Sequence, residues 1–233
     1  MPGQDNYEYY VDIVMCIDGT GSMKPIIAEV KEKALSFYKM FIDQMEESDR
    51  EVSQLRIKVI VFRDYGEDAV PMQESPFFTL PADNDAFNSF VHGIEAKGGG
   101  DAEENALEAI ALALKSDWTT GGDKRRHCIL VFSDAPALDL GVRAGKGGYP
   151  SGMPRDLPQL GAWWHGTDQS LAGTYEPRAG RLVAFVPKLA PWTSLQSWQR
   201  YFPAYSQAGK GLKGLEIQNA IDVLVGSLVE VEQ

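Results

Sequence analysis

The residues best suited to chemistry are Asp18-Gly19-Thr20-Gly21-Ser22. One carboxylate and two hydroxyls alternate with two glycines, so every side-chain donor is a hard oxygen. Such a set favours Mg²⁺, Mn²⁺ or Ca²⁺ over zinc. Two more acidic loops can join it. Asp101 follows the triple glycine Gly98-Gly99-Gly100, and Asp134 stands in Ser133-Asp134-Ala135-Pro136. Three glycines before a helix give a loop with freely set dihedrals and outward-pointing N–H groups.

These loops need strands to hold them. The run Tyr9 to Ile17 reads as a strand buried on both faces, as in a parallel sheet. Pro25 suits a first helical turn. Ile26, Ile27, Val30, Ala34, Phe37, Met40, Phe41 and Met45 recur at helical spacing up to about Glu47. Gln54–Phe62 is a second strand, and Arg63-Asp64-Tyr65-Gly66 a turn. Pro76–Leu80 reads as a short return strand at the sheet edge. Helices are expected over Ala82–Ile94, opened by Asp83 or Asn84, and over about Ala102–Ser116. His127–Phe132 is a further central strand. Residues 141–180, rich in Gly and Pro, form an insertion with one short helix near Leu157–Trp164. Arg181–Pro187 and Tyr201–Tyr205 are strands, and Glu216–Leu228 is a closing amphipathic helix.

This order predicts an α/β fold: an open, mostly parallel, doubly wound sheet with one antiparallel edge strand and helices on both faces. The 233 residues, 44% hydrophobic and 24% charged, suit a single domain over 1–233 with its insertion at about 141–180. If the strands ending in Asp18 and Asp134 are parallel neighbours, the acidic loops meet at their carboxyl ends, where open α/β sheets place ligands.

Several function classes fall away. A formal net charge of -11 argues against nucleic acid as partner, because phosphate neutralisation needs clustered Lys and Arg. Lys124-Arg125-Arg126 reads as a solvated strand entrance. No apolar stretch is long enough to cross a bilayer, and the polar start Met1-Pro2-Gly3-Gln4-Asp5 does not read as a signal peptide. Cys16 and Cys128 lie within strands, about 13 Å apart along them if the acidic ends are level, too far for a disulfide. Two buried thiols fit a reducing, cytoplasmic setting. His92, His127 and His165 lack metal-ligand spacing. Ser133 and Cys128 have no His–acid partners for nucleophilic catalysis.

Asp-x-Thr-x-Ser resembles the Asp-x-Ser-x-Ser signature of von Willebrand factor A domains, which carry a metal-ion-dependent adhesion site. The resemblance covers nearly the whole chain. It implies a Rossmann-like fold, a divalent cation, Mg²⁺ first among the candidates, and the metal ligands Asp18, Thr20, Ser22, Asp101 and Asp134. The family supplies a Thr from its second loop, where this chain has Asp101. A third carboxylate tightens resting metal binding and weakens the pull on an acidic partner. Ile17-Asp18-x-Thr20-Gly21-Ser22-Met23, Phe62-Arg63-Asp64-Tyr65 and Gly98-Gly99-Gly100-Asp101 resemble the intracellular branch, whose members occur beside α-kinase domains or as separate bacterial proteins. The implied function is a metal-dependent protein-interaction module, a scaffold or adaptor whose partner is a kinase, phosphatase or ATPase component, and not an enzyme. The partner would dock on the loops at residues 18–24, 63–68, 98–102 and 134–140.

Two alternatives stand beside it. Asp18-Gly19-Thr20-Gly21 is also similar to the phosphate loop of actin-like ATPases, which would make the protein a Mg²⁺-dependent phosphate-handling enzyme. The chain lacks the Walker and dinucleotide patterns and the second domain such enzymes need. The other alternative is a structural subunit with a purely stabilising metal. Side chains near the site have bland readings too. The carboxylates could simply cap helices. Asp64 is a turn former or an orienter of metal-bound water. Arg63 pairs with Asp64 or another rim carboxylate. Trp163, Trp164, Trp192 and Trp198 either pack the insertion onto the sheet or form a partner surface.

Overall fold

The computed structural model describes residues 7–99, 103–206, 212 and 215–229. The chain runs β1 (Tyr9–Asp18), α1 (Lys24–Glu47), β2 (Gln54–Phe62), β3 (Met72–Glu74), β4 (Phe78–Leu80), α2 (Asn84–His92) and α3 (Ala106–Leu114). It continues β5 (Lys124–Phe132), α4 (Leu157–His165), β6 (Gly180–Pro187), β7 (Tyr201–Ser206) and α5 (Ile217–Val229). The sheet order is β3-β2-β1-β5-β6-β7, with β4 also on β2. All pairs from β2 to β7 through the centre are parallel. The antiparallel edge lies where expected, in two short pieces, β3 and β4, which both pair with β2.

Alternation along β1 divides the core. Val11, Ile13, Met15 and Ile17 face the layer of α1, α2 and α5, while Val14 and Cys16 face the layer of α3 and α4. In α1, the buried side chains Ile26, Ile27, Val30, Ala34, Phe37, Phe41 and Met45 form one stripe at helical spacing. Apart from Ala34, each such side chain, fully buried, contributes roughly 1.5–3 kcal/mol against the entropy of ordering the chain.

β1 is less uniformly apolar than its neighbours suggest. Asp12 is fully buried in it. Its carboxylate accepts from Arg56 Nε at 2.8 Å and Nη2 at 2.5 Å, and from the Thr119 N–H at 2.7 Å. A central strand tolerates the charge because two partners distant in sequence fill the acceptor positions. At the same end, buried His127 stacks on Trp118 with ring centroids 4.9 Å apart. Its Nδ1 accepts from the Glu176 N–H, and burial lowers its pKa. Its role is structural.

The cysteines are both free and buried. Register places Ile13 beside Cys128 and Cys16 beside Val131. The offset is therefore three residues, about 10 Å, and not the four that level acidic ends imply. An odd offset puts the thiols on opposite faces of the sheet, Cys128 with α1 and Cys16 with α3.

The insertion folds onto α3 and β5. Trp163, Trp164 and Trp192 are buried, and Trp198 partly so, stacked on Trp164 at 6.2 Å. These tryptophans pack the long connections onto the sheet and do not form an open partner surface.

Candidate metal centre

The chain leaves β1 towards β2 on one side of the sheet, while β5 leads to β6 and β7 on the other. The carboxyl ends of β1 and β5 thus flank the topological switch point. Ile17 pairs with Phe132, so Asp18 and Ser133 emerge side by side. The neighbourhood of strands that unites the Asp18 and Asp134 loops is present.

Asp18 is fully buried. Its Oδ1 accepts from the Thr20 N–H at 2.9 Å and the Thr20 hydroxyl at 2.6 Å, and its Oδ2 from the Ser133 hydroxyl at 2.8 Å. Thr20 Oγ1 lies 3.2 Å from Ser22 Oγ, and the Ser22 hydroxyl donates to Asp134 Oδ1 at 2.9 Å. This chain of oxygens has three O···O contacts and only two hydroxyl protons. With each hydroxyl donating to its carboxylate, the lone pairs of Thr20 Oγ1 and Ser22 Oγ face each other. A cation placed against both oxygens would take these lone pairs. Burial pushes the Asp18 carboxyl above the usual carboxylate range, against the lowering effect of its Thr20 and Ser133 hydrogen bonds.

The oxygens open on a cavity of about 460 Å³ whose walls include Thr20, Ser22, Gly98, Gly99, Glu104 and Asp134. Gly98 and Gly99 have φ of +80° and +84°, which L side chains rarely adopt. A Cβ on Gly99 would lie 3.1 Å from Thr20 Cβ, so glycine lets this loop lie against the signature. Asp101, the expected second-loop ligand, lies outside the described residues. Among the described residues, neither Asp18 nor Asp134 caps α1, which starts without a side-chain cap.

Glu104 was not among the expected site residues. The helix expected from about Ala102 starts at Ala106. Before it, Glu104 forms a β-bridge with Ala137. Its N–H donates to Pro136 O at 3.2 Å, and its carbonyl accepts from the Leu138 N–H at 2.9 Å. Those two bonds turn its side chain, 2% exposed, into the cavity wall. The acidic pair Glu103-Glu104 was visible in the sequence, but the assumed helix start hid its position.

Arg63 has different partners from those expected, while Asp64 takes its expected turn role and adds an ion pair. Arg63, buried, donates to four carbonyls: Gly19 and Lys97 from Nε (3.1 and 3.0 Å), Val70 from Nη1 (3.2 Å) and Glu95 from Nη2 (2.7 Å). It ties the Asp18 loop to the approach to the glycines. Asp64 is the turn former: Oδ1 accepts from the Gly66 N–H, and Oδ2 pairs with Arg143. Gly19 fits beneath this clamp, since a Cβ there would come within 2.6 Å of Val61 Cγ1 and 2.8 Å of Arg63 Cζ. Gly19→Ala is expected to cost about 1–3 kcal/mol as an overpacked site. Urea unfolding should show it as a lower midpoint at unchanged slope; an unchanged midpoint would remove the clamp from the account.

Among the described residues, no three His, Cys, Asp or Glu side chains group as metal ligands. The donor set is instead rich in hydroxyls, with Asp18 and Asp134 at its ends. Hard hydroxyl and carboxylate oxygens converging beside an open cavity fit a divalent cation such as Mg²⁺.

A family model described as von Willebrand factor A domain matches residues 12–144, a span that holds both acidic loops described above. The chain belongs to the von Willebrand factor A domain family. Among solved structures, it resembles the pilus adhesin SpaC from Lactobacillus rhamnosus GG at 11% identity and TM-score 0.54, over 97% of this chain and 31% of that one. It also resembles a von Willebrand factor type A protein from Catenulispora acidiphila at 12% identity and TM-score 0.51, over 95% of this chain and 42% of that one. This chain thus spans about a third of the adhesin's length. At these identities the likeness is one of fold. No curated protein matches the chain.

Proposed function

We propose that the protein is a metal-dependent protein-interaction module, with one divalent cation held by Thr20, Ser22 and Asp134 and by Asp18 behind them, and with Asp101 as the second-loop ligand. The carrying observation is the chain of hard oxygens from Asp18 to Asp134, with the Thr20 and Ser22 hydroxyl oxygens in contact and open to a cavity at the switch point. The bound cation would keep an open position for a group from outside. Solved relatives of the fold that are named as pilus adhesins favour binding as the task.

The surrounding surface suits a docking partner. Among the described residues, five large apolar side chains are exposed, and three of them, Val70, Val142 and Leu189, lie in loops on this edge of the sheet. Catalysis is not part of the proposal: the Ser133 hydroxyl is engaged with the buried Asp18 carboxylate. The intracellular scaffold role, with a kinase, phosphatase or ATPase component as partner, rests on the resemblance of the three loop motifs and on two buried free thiols. Calorimetric titration with Mg²⁺, Mn²⁺ and Ca²⁺ tests the core of the proposal. Wild type should give a one-site isotherm that Asp134→Ala loses, and equal heats from the two proteins would refute the site.

A further inference from the structure

We propose that the cleft between α4 and the turn at Ser194–Ser197 is a second binding site, one that takes a neutral saccharide. The inference does not rest on the cation reading, because this cleft shares no lining residue with the cavity beside Asp134.

Local structure fixes both walls. α4 opens on Asp156, whose carboxylate accepts from the Gln159 N–H at 2.9 Å, and closes on Gly166 in the left-handed region at φ +70°. The facing wall is anchored by buried Leu195, whose carbonyl accepts from the Trp198 main-chain N–H at 2.8 Å. The Trp198 ring stacks on fully buried Trp164, so this ring face serves packing. Its N–H edge lies over α4: a Cβ on Gly161 would stand 3.3 Å from Trp198 Nε1, and glycine there makes room for the indole. The cleft between the walls measures about 530 Å³, within the range of small-molecule sites.

Four of the five tryptophans direct their indole N–H to a protein acceptor: Trp118 to Ala113 O, Trp163 to Ser170 Oγ, Trp164 to Gln199 O and Trp192 to Ala135 O. Among the described residues the Trp198 indole N–H has no such acceptor, and it is not enclosed by protein. His165, whose ring meets that of Trp198 edge-on at 6.1 Å, donates from Nδ1 to the Gly161 carbonyl at 2.7 Å. In the neutral imidazole this leaves Nε2 as an acceptor. The Thr167 and Ser197 hydroxyls donate to the carbonyls of Ala162 and Ser194, at 3.3 and 3.2 Å, and keep their lone pairs for a ligand. No Asp, Glu, Lys or Arg lines the cleft, although 24% of the chain is charged. Its complement is an uncharged molecule with several hydroxyl donors, an acceptor for Trp198, and an apolar side to lie on Leu157 and Pro158. A saccharide ring has all three, since its hydroxyls donate and accept and its C–H face is apolar. A proline-rich peptide, the other neutral ligand of aromatic grooves, brings carbonyls but few donors, and would leave His165, Thr167 and Ser197 without partners.

The Trp198 indole N–H is itself the probe. In nitrogen-labelled protein it is the indole resonance lost in Trp198→Phe, which keeps an aromatic ring against Trp164. The methyl glycosides of glucose, galactose, mannose and N-acetylglucosamine are titrated one at a time to about 100 mM, which covers millimolar affinity. At least one should move the Trp198 resonance along a saturable curve and leave the other four indole resonances in place. Gly161→Ala sets a methyl beside Nε1 and should weaken that titration about tenfold, the loss of roughly one hydrogen bond. Unchanged positions of the other indole resonances will show that this variant is folded, so the test stands even if Trp198→Phe folds poorly. Asp134→Ala should titrate as wild type, because the two sites are separate. No movement with any glycoside, an unsaturable drift of all five resonances, or an equal response in Gly161→Ala would overturn the site. Movement with an acetylated hexaproline peptide and with no glycoside would overturn the saccharide assignment in favour of a proline-rich segment.

Discussion

Asp18→Ala is expected to unfold about 2–4 kcal/mol more easily than wild type in chelator and to gain nothing from added Mg²⁺. Its carboxylate takes the Thr20 N–H, the Thr20 hydroxyl and the Ser133 hydroxyl in a fully buried place. Truncation leaves these donors facing a void, and each buried group left unpaired costs about 1–3 kcal/mol. The total is reduced because Ser133 can turn to the Ala135 carbonyl, 3.3 Å away. Asp18→Asn separates structure from charge. Its amide oxygen still accepts from Thr20, and its NH₂ can donate to Ser133 once that hydroxyl turns to Ala135. Most of the chelator-state stability should therefore survive, while the response to Mg²⁺ disappears. Wild type should gain about 2.7 kcal/mol at a hundredfold excess over Kd. Chemical unfolding of the three proteins, each with chelator and with Mg²⁺, reads both effects. A full Mg²⁺ response in Asp18→Asn would refute the cation site, and a wild-type midpoint for Asp18→Ala in chelator would refute the hydrogen-bond account.

The parts legible in the sequence were those governed by local pattern. β1, α1, β2 and β5 declared themselves through apolar pattern, and the Asp18 signature through residue types at fixed spacing. What stayed hidden was decided by partners distant in sequence. Nothing local says that Arg63 will serve four carbonyls, because guanidinium partners chosen from the main chain leave no charge pattern to read. Glu103-Glu104-Asn105 has the look of a first helical turn, yet Pro136 and Leu138 take the backbone groups of Glu104 and delay α3. That override moved a carboxylate into the cavity wall. The cysteine offset shows a third kind of loss: Asp18 stands level with Ser133, not Asp134, and a one-residue difference in register exchanges the faces of a strand.

The insertion and the cation site are mechanically joined, and Arg143→Ala should expose the joint. Asp64 is fully buried, and Arg143 is its counter-charge. Removing one member of a buried pair typically costs about 3–5 kcal/mol, since the remaining charge stays desolvated without compensation. For a domain of this size that corresponds to roughly 6–20 °C in Tm. Asp64→Asn in the same chain should recover much of the loss, because the amide oxygen can still accept from Gly66 while the buried charge is gone. The effect should spread beyond the pair. Residues 139–149 also hold Glu108, whose Oε1 accepts from the Gly141 N–H at 3.4 Å and the Tyr149 hydroxyl at 3.0 Å, and whose carboxyl burial pushes up in pKa. Glu108 lies in the first turn of α3, one turn after Glu104, and Asn105 Oδ1 between them accepts from the Tyr65 N–H at 3.0 Å. The turn after β2, the start of α3 and the base of the insertion therefore form one polar network behind the cavity wall. Limited proteolysis of Arg143→Ala should open new cuts within residues 144–152, and Mn²⁺ affinity should fall although no proposed ligand has changed. If stability falls while affinity holds, the network supports the insertion alone, and the wall that carries Glu104 is kept in place by its bridge to Ala137.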